Sequence, residues 1–360
     1  MAKPFDNDDF LKSMNAKYGQ GTAQTLAEDT TAQILHWTST GMPDLDDAMG
    51  WGLPGGRIVE YFGPESSGKT TAAMAALVSN QERGGINVVY DAEGTFDQDR
   101  YIAMGGDPEK CIMVDPGTME EYYDKLKLTC TWAAKQTVPK NAVVLIVVDS
   151  VPMVLPKAML ELEGDDVTVA AQARLNSMHL PTVNDLLGGN SCLLLLNQVR
   201  DKIGAMAWNA DGNIDTPGGR IIKHLCSVRV LFSKMGQIDN KKSGDARIII
   251  GQKTGAKVVK NKVAPPLRKT QFNIMFDTRG IDIVQIILAK AVVKGWVKKG
   301  TAGFYFLLNA KDEVKFKADA FAEILHTRPK WTRKMMAECF ELEQQLPDLT
   351  RYIGLTPVED

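Results

Sequence analysis

The chain has 360 residues, of which 44% are hydrophobic, enough for one large domain and a smaller second one. Its formal net charge of −2 excludes a general attraction to nucleic acid, so any polyanion site must be a local cluster of Lys and Arg. The five cysteines are far apart and lack metal-ligand spacing, which predicts reduced, buried thiols. The longest apolar runs, such as 142–148, are too short to span a membrane, and the N-terminus is acidic, so we expect a cytoplasmic protein.

The first 30 residues are polar apart from one short amphipathic pattern. Phe10, Leu11, Met14 and Tyr18 recur at helical spacing, and Gly19 is a suitable residue to end the helix. No other part of this segment covers the apolar stripe. The residues alone therefore leave two docking surfaces open, the chain's own core and a neighbouring subunit.

The middle of the chain alternates between continuous apolar strands and helical stretches. The first predicted strands are 57–63, 87–91, 143–149 and 193–197. Such strands between helices predict a parallel sheet covered on both faces. Later strands at closer spacing look antiparallel and would extend the sheet; they are 227–232, 247–250, 257–260 and 271–276. The predicted fold class is α/β, a mostly parallel twisted sheet with an antiparallel extension, followed after residue 280 by a small α/β domain.

A glycine-rich segment follows the first strand and opens a helix. It consists of Gly63, Pro64, Glu65, Ser66, Ser67, Gly68, Lys69, Thr70 and Thr71. In this context, backbone N–H groups surround the β-phosphate of a nucleotide, Lys69 neutralises the β- and γ-phosphates, and Thr70 offers a hydroxyl to Mg²⁺. The segment therefore predicts ATP and Mg²⁺ as cofactors.

Polar side chains stand at the carboxyl ends of three further strands, where ligands of open α/β sheets bind. Asp149 is expected to orient Mg²⁺, with a buried or capping aspartate as the alternative. Glu93 is placed to polarise the attacking water, although a glutamate at a strand end is more often a solvated loop charge. Asn197 and Gln198 suit a sensor of the γ-phosphate or, equally, a cap of the strand. The stretch 200–219 that follows is long and glycine-rich, which predicts a functional loop.

Together these residues resemble the RecA recombinase family. The segments that carry the resemblance are 52–60, 63–71, 91–93, 147–151, 197–200, 202–204 and 257–262, in the family's order and close to its spacing. The resemblance implies a RecA-like P-loop core that hydrolyses ATP, forms filaments on single-stranded DNA, pairs it with homologous double-stranded DNA and promotes strand exchange. We assign 1–30 to an N-terminal helix and tether for subunit docking, 31–280 to the ATPase core, and 281–360 to a C-terminal domain for duplex capture.

The resemblance also implies roles for individual residues. Glu93 would activate water, Gln198 would sense ATP, and Lys260 and Lys262 would reach a neighbouring subunit's ATP. Strand alternation places these two lysines on one face, whereas a solvated basic edge explains the other nearby lysines more readily. Two DNA loops are implied, near 156–168 and 200–219, with contacts from Arg174, Asn197, Arg200, Lys202, Met206, Trp208, Gly218 and Gly219.

The sequence departs from the family pattern in three places. Gln172 stands where the family has an arginine after the first loop, and Arg174 follows on another helical face. The tyrosine that stacks on adenine in the family falls near Arg100, with Tyr101 beside it, so both are candidates for the base contact. The C-terminal tail lacks a long acidic run, which argues against autoinhibition by such a tail.

Other readings share part of this pattern. A hexameric helicase motor has the P-loop, the strand-end glutamate and a basic residue donated in trans, but it usually carries additional modules. A P-loop kinase or ATP-binding switch leaves the glycine-rich loop unexplained. Trp208 is either a residue that wedges between bases or a packing tryptophan. A lysine cluster in the C-terminal part is either a duplex-binding surface or a solvated helix end; it comprises Lys290, Lys294, Lys298 and Lys299.

Overall fold

The structure is a computed structural model that describes residues 7–28, 33–160, 168–201, 214–240, 248–277, 280–310, 312 and 314–340. By its contacts the chain divides into two units, Met1–Ile34 and Leu35–Asp360. The domain boundaries expected at residues 30 and 280 stay predictions.

The helices of the described residues are α1 (Asp8–Tyr18), α2 (Pro43–Met49), α3 (Lys69–Glu82), α4 (Gln98–Ala103), α5 (Met119–Ala133), α6 (Lys157–Leu160), α7 (Thr168–Leu186), α8 (Arg220–Leu225), α9 (Ile283–Val293), α10 (Phe321–Thr327) and α11 (Pro329–Phe340). The strands are β1 (Trp37–Thr38), β2 (Leu53–Pro54), β3 (Arg57–Gly63), β4 (Ile86–Asp91), β5 (Cys111–Val114), β6 (Val144–Asp149), β7 (Ser191–Gln198), β8 (Arg200–Asp201), β9 (Ile214–Asp215), β10 (Val228–Asn240), β11 (Ile248–Asn261), β12 (Lys269–Met275), β13 (Val297–Lys299), β14 (Phe304–Leu307) and β15 (Lys315–Lys317).

The first unit contains the predicted amphipathic helix. Acidic Asp8 and Asp9 lie in the first turn of α1 and Lys17 in the last, an arrangement that complements the helix dipole. The helix ends at Gly19, whose φ of +108° suits glycine. The prediction of a helix here is confirmed, and no residue of α1 is buried.

The second unit is built on an eight-stranded sheet with the order β12-β11-β10-β3-β7-β6-β4-β5. Five neighbouring pairs are parallel, from β10 through β3, β7, β6 and β4 to β5, as the apolar strands predicted. The antiparallel extension is confirmed for β11 and β12. The strand β10 joins the two arrangements, since its pairing with β11 is antiparallel, as expected, whereas its pairing with β3 over residues 228–231 is parallel.

Both faces of the sheet are buried, which explains its continuous apolar strands. Alternate residues enter two hydrophobic clusters, with Val59 and Leu194 in one and Ile58 and Leu193 in the other. The first cluster continues into the C-terminal helices through residues such as Ile286, Phe321 and Met335. All five cysteines are free thiols; four of them are buried and Cys111 is half-buried. The prediction of reduced, buried thiols is therefore confirmed except for the partial exposure of Cys111.

Among the described residues, no helix is both long and apolar enough to cross a membrane.

Candidate nucleotide site and DNA loop

The P-loop connects the end of β3 to the start of α3. Gly68 has a φ of +96°, a backbone conformation that favours glycine, and a Cβ here would also displace the end of the Ile274 side chain. Lys69 folds back over the loop, and its Nζ donates to the carbonyl oxygens of Gly63 at 3.0 Å and Pro64 at 2.8 Å. Burial lowers the pKa of Lys69. The ammonium group is therefore held in the loop, where a bound phosphate would compete with these carbonyl oxygens for it.

Thr70 and Asp149 meet at the carboxyl edge of the sheet, as expected. Thr70 Oγ1 donates to Asp149 Oδ2 at 2.8 Å. Burial raises the pKa of Asp149 to about 6, and the nearby carboxylates of Glu93 and Asp91 add to this effect. A buried carboxylate beside a hydroxyl is an oxygen donor set of the kind that Mg²⁺ prefers. These residues therefore fit the predicted metal.

Glu93 lies next to Gln198 and Ser150. Gln198 Nε2 is 3.4 Å from Glu93 Oε1, and Ser150 Oγ donates to the same oxygen. The residue expected to activate water and the residue expected to sense the γ-phosphate are thus in direct contact. Sequence reasoning did not assign Ser150, although its position directly after Asp149 at a strand end was a signal for it.

A cavity of about 390 Å³ adjoins the P-loop. It is lined by Ser66, Ser67, Gly68, Lys69, Thr70, Thr71, Arg100, Lys234, Gln252, Ile274 and Phe276. Arg100 Nη2 donates to Met275 O at 3.2 Å, which places the guanidinium group at the cavity, as predicted for one of the two candidates. Phe276 is 54% exposed and offers an aromatic ring that the sequence analysis did not single out.

The alternative candidate, Tyr101, is a wrong prediction for the base contact. Its side chain is 1% exposed, and its hydroxyl donates to Gln81 Oε1 at 3.0 Å inside the core. Successive helical residues point about 100° apart, so in α4 Tyr101 faces inward while Arg100 faces the nucleotide cavity.

The predicted DNA residues occupy different kinds of position. Arg174 is exposed on α7. The backbone of Arg200 pairs with Asp215 at the base of the loop. Gly218 and Gly219 have φ values of +93° and +87° and lead into α8. Other predicted contacts lie outside the described residues, namely Lys202, Met206 and Trp208.

Asn197 does not fit the expected direct contact with DNA. Its side chain is fully buried, and its Nδ2 donates to Glu60 Oε1 at 2.9 Å and to Pro217 O at 3.1 Å. The residue therefore acts inside the protein, between the P-loop strand and the end of the DNA loop. An amide that follows a run of leucines gave no local sign of these partners.

Lys260 and Lys262 lie on one face, as strand alternation predicted. The Nζ atoms of both donate to His224 O, at 3.0 Å and 3.2 Å, and that of Lys260 also donates to Lys223 O. These carbonyls end α8, where a cation complements the helix dipole. Lys260 lies on β11, which only β10 separates from the P-loop strand β3. Along the strands, Lys260 is level with Arg229 and Arg229 is level with Glu60, which precedes the end of β3 at Gly63. Lys260 therefore stands away from the edge of the sheet where the P-loop lies.

The predicted lysine cluster of the C-terminal part is not a single free surface. Lys290 Nζ lies 3.0 Å from Asp47 Oδ2 and 3.7 Å from Asp44 Oδ1, so this lysine already has anionic partners. Lys298 and Lys299 are exposed on β13. Duplex capture by all four lysines together therefore does not fit the position of Lys290.

Comparison with known proteins identifies the family. A family model for the RecA N-terminal domain matches residues 7–282. The chain belongs to the RecA family. It is 38% identical to Protein RecA of Chloroherpeton thalassium over 82% of this chain and 78% of that one, and 36% identical to Protein RecA of Thermus aquaticus over 92% of each. Protein RecA of Thermus thermophilus is 36% identical over 93% of this chain and 94% of its own.

Family membership confirms the RecA-like P-loop fold and the general function that the resemblance implied. The chain is a DNA-dependent ATPase of homologous recombination that assembles into filaments. The helicase and kinase readings are therefore set aside. The roles of individual residues are a separate question.

Proposed function

We propose that the ATP site and the DNA loop of this recombinase communicate through Gln198. In this proposal ATP occupies the P-loop, Lys69 neutralises its phosphates, and Thr70 and Asp149 hold Mg²⁺, which supplies positive charge to the phosphate oxygens. Arg100 and Phe276 flank the base, because both line the cavity beside the P-loop. Glu93 orients and deprotonates the attacking water.

The contact between Gln198 and Glu93 carries the proposal. With 3.4 Å between Gln198 Nε2 and Glu93 Oε1, the amide also competes with water for the carboxylate. A γ-phosphate offers this amide another ionised acceptor, so in this proposal ATP draws Gln198 away and leaves Glu93 able to accept a proton from water. Gln198 ends β7, two residues before Arg200, so its movement bears directly on the DNA loop.

We propose single-stranded DNA as the ligand of the loop and double-stranded DNA as the second substrate. The exposed Arg174 and the loop residues Arg200, Lys202 and Trp208 would contact phosphates and bases. A cytoplasmic location stays a prediction.

We also propose that the active site is completed by a second subunit. The P-loop, Lys69 and Mg²⁺ cover one side of the γ-phosphate, and the transition state gains from a cation on the other side. Lys260 and Lys262 stand away from their own P-loop edge, at the end of α8, where a head-to-tail neighbour would meet them.

The test compares ATP hydrolysis with and without oligothymidylate in the wild type, Gln198→Ala and Gln271→Ala. The last is a control at an exposed glutamine of β12. DNA should stimulate the wild type and the control at least about tenfold, whereas Gln198→Ala should lose most of this stimulation. Equal stimulation in all three proteins would refute the role of Gln198.

A further inference from the structure

The two ends of the DNA loop are joined as a short ribbon. We call residues 198–201 and 214–218 the loop neck. Within it, Arg200 pairs with Asp215 and Asp201 with Ile214 in antiparallel register. Because these pairs link the strand that leaves β7 to the strand that returns, the entry and the exit of the loop move together.

Three successive residues at the exit of the neck are each held by a different polar side chain; those of Asn197 and Asn176 are buried, and that of Arg229 is partly exposed. Arg229 Nη2 of β10 donates to Thr216 Oγ1 at 3.4 Å, Asn197 Nδ2 of β7 donates to Pro217 O at 3.1 Å, and Asn176 Nδ2 of α7 donates to Gly218 O at 2.8 Å. The residues Thr216, Pro217 and Gly218 are themselves buried. The neck is therefore fixed to three separate elements of the core.

Asn197 has the central position in this arrangement. Besides Pro217 O, its Nδ2 donates to Glu60 Oε1 at 2.9 Å, and Glu60 Oε2 accepts from Arg229 Nε. Both acceptors of the Asn197 amide are oxygens without hydrogen, so only one orientation of the amide satisfies them. Since Glu60 lies on β3, which leads into the P-loop, the buried Asn197 side chain joins the exit of the neck to the P-loop strand, beside a second link through Arg229.

The side-chain amide of Asn176 on α7 is oriented in a similar way. It is 2% exposed, and its Oδ1 accepts from the hydroxyl of Tyr123 on α5, which leaves its Nδ2 to donate to Gly218 O. Gly218 has a φ of +93°, a conformation that favours glycine at this position.

We propose that Asn197 is a positioning residue that makes the loop neck and the P-loop strand one rigid element, so that ATP and DNA bias the same movement. The inference rests on the proposed role of Gln198, which follows Asn197 on β7. Coupling between two sites needs an element whose arrangements both ligands influence. Asn197 touches neither ligand: it transmits a shift of Gln198 to the exit of the loop at Pro217 and to Glu60 on the P-loop strand.

The test measures the affinity for a fluorescent oligothymidylate in the presence of ADP and of a non-hydrolysable ATP analogue. In the wild type the analogue should raise the affinity about tenfold or more, and the oligonucleotide should raise the affinity for the analogue by the same factor. In Asn197→Ala both ratios should fall below about threefold. A residue needed only for folding would change the melting temperature but leave these ratios intact.

Asn190→Ala is the matched control. Asn190 also donates two hydrogen bonds from a side-chain amide, to Ala133 O at 3.0 Å and Gln136 O at 2.6 Å, and it directly precedes the opposite end of β7. Its loss should lower stability and leave the coupling ratio at the wild-type value.

If Asn197→Ala does not fold, a second pair of variants tests whether the loop neck couples ATP binding to DNA binding. Asn176→Ala removes the bond to Gly218 O and should lower the ratio, whereas Tyr123→Phe keeps that bond and should not. A wild type without any difference between ADP and the analogue would contradict the proposed function itself. A coupled wild type whose coupling survives in Asn197→Ala, or in a folded Asn176→Ala, would overturn the inference about the neck.

Discussion

The ion pair between Glu60 and Arg229 should contribute strongly to the stability of the core around the loop neck. The Glu60 side chain is fully buried, and that of Arg229 is 12% exposed. Removal of one partner leaves the other charge poorly hydrated, which costs about 3–5 kcal/mol in buried pairs. The Arg229 guanidinium carbon also lies 4.4 Å from the centre of the Phe62 ring, a contact worth about 1 kcal/mol. We therefore expect Arg229→Met to lower the free energy of unfolding by about 4 kcal/mol.

A double-mutant cycle isolates the pair. Glu60→Gln retains an acceptor for Asn197 while removing the charge, and the double variant with Arg229→Met removes both charges. Urea unfolding with an unchanged denaturant slope gives the four free energies. The double variant should be destabilised less than the sum of the single variants, by about 2 kcal/mol.

The exposed pair Lys110 and Asp107 is the control for this cycle, since it has a similar contact of 3.1 Å but side chains that are 68% and 38% exposed. Solvent screens such a pair, and we expect no measurable coupling. The reasoning about burial would be refuted if the Glu60–Arg229 coupling were below about 0.5 kcal/mol, the usual error of additivity.

Three further predictions concern catalysis, the metal and pH. Lys260→Ala and Lys69→Ala should each lower the rate of ATP turnover by a factor of about 10³ or more. When the two variants are mixed on DNA, part of the ATPase activity should return. If the rate stays at background at every mixing ratio although the variants assemble together, catalysis in trans is excluded. Asp149→Asn should weaken Mg·ATP binding about tenfold, but not the binding of metal-free ADP, as measured by calorimetry. Burial raises the pKa of Asp46 in the folded protein, so its contribution to stability falls as the pH rises above the ordinary range of an aspartate. The cost of Asp46→Asn, measured from urea midpoints, should accordingly be smaller at pH 8 than at pH 4, and an unchanged cost would contradict the assigned burial effect.

The sequence predicted the parallel strands and the P-loop because their signals are local. A continuous apolar strand followed by this glycine-rich turn and a helix is typical of a phosphate-binding P-loop. The strand β5 was missed since it has only four residues and two exposed apolar side chains, Ile112 and Met113, at 45% and 49%. The strand β11 was predicted as two pieces because Gly251 and Gly255 resemble breaks. In the structure a Cβ at Gly251 would lie 2.6 Å from Ile274 O, so this glycine permits close pairing with β12.

The partners of the site residues were predicted less well, since they depend on tertiary contacts. Ser150 and Glu93 are 57 residues apart, and Asn197 and Glu60 are 137 apart. Arg100 and Tyr101 were both candidates for the base contact because neighbouring helical side chains point about 100° apart, and the sequence does not fix which of the two faces the cavity. The sequence predicted the helices and strands that carry the site residues, but not the directions in which their side chains point.

The polar network beneath the loop neck does have a trace in the sequence. Glu60 and Asn197 each interrupt a largely apolar, buried strand, and Arg229 lies between the buried Val228 and Val230 at the start of β10. A charge in such a strand is stable only beside a partner, so buried polar residues on neighbouring strands are expected to meet. The register of the strands brings these residues together. Arg229 on β10 is directly opposite Glu60 on β3, and Asn197 lies two residues beyond Leu195, the β7 residue that pairs with Glu60. Because the P-loop strand is the middle one of the three, any ligand that displaces the neck must also act on the strand that carries the nucleotide.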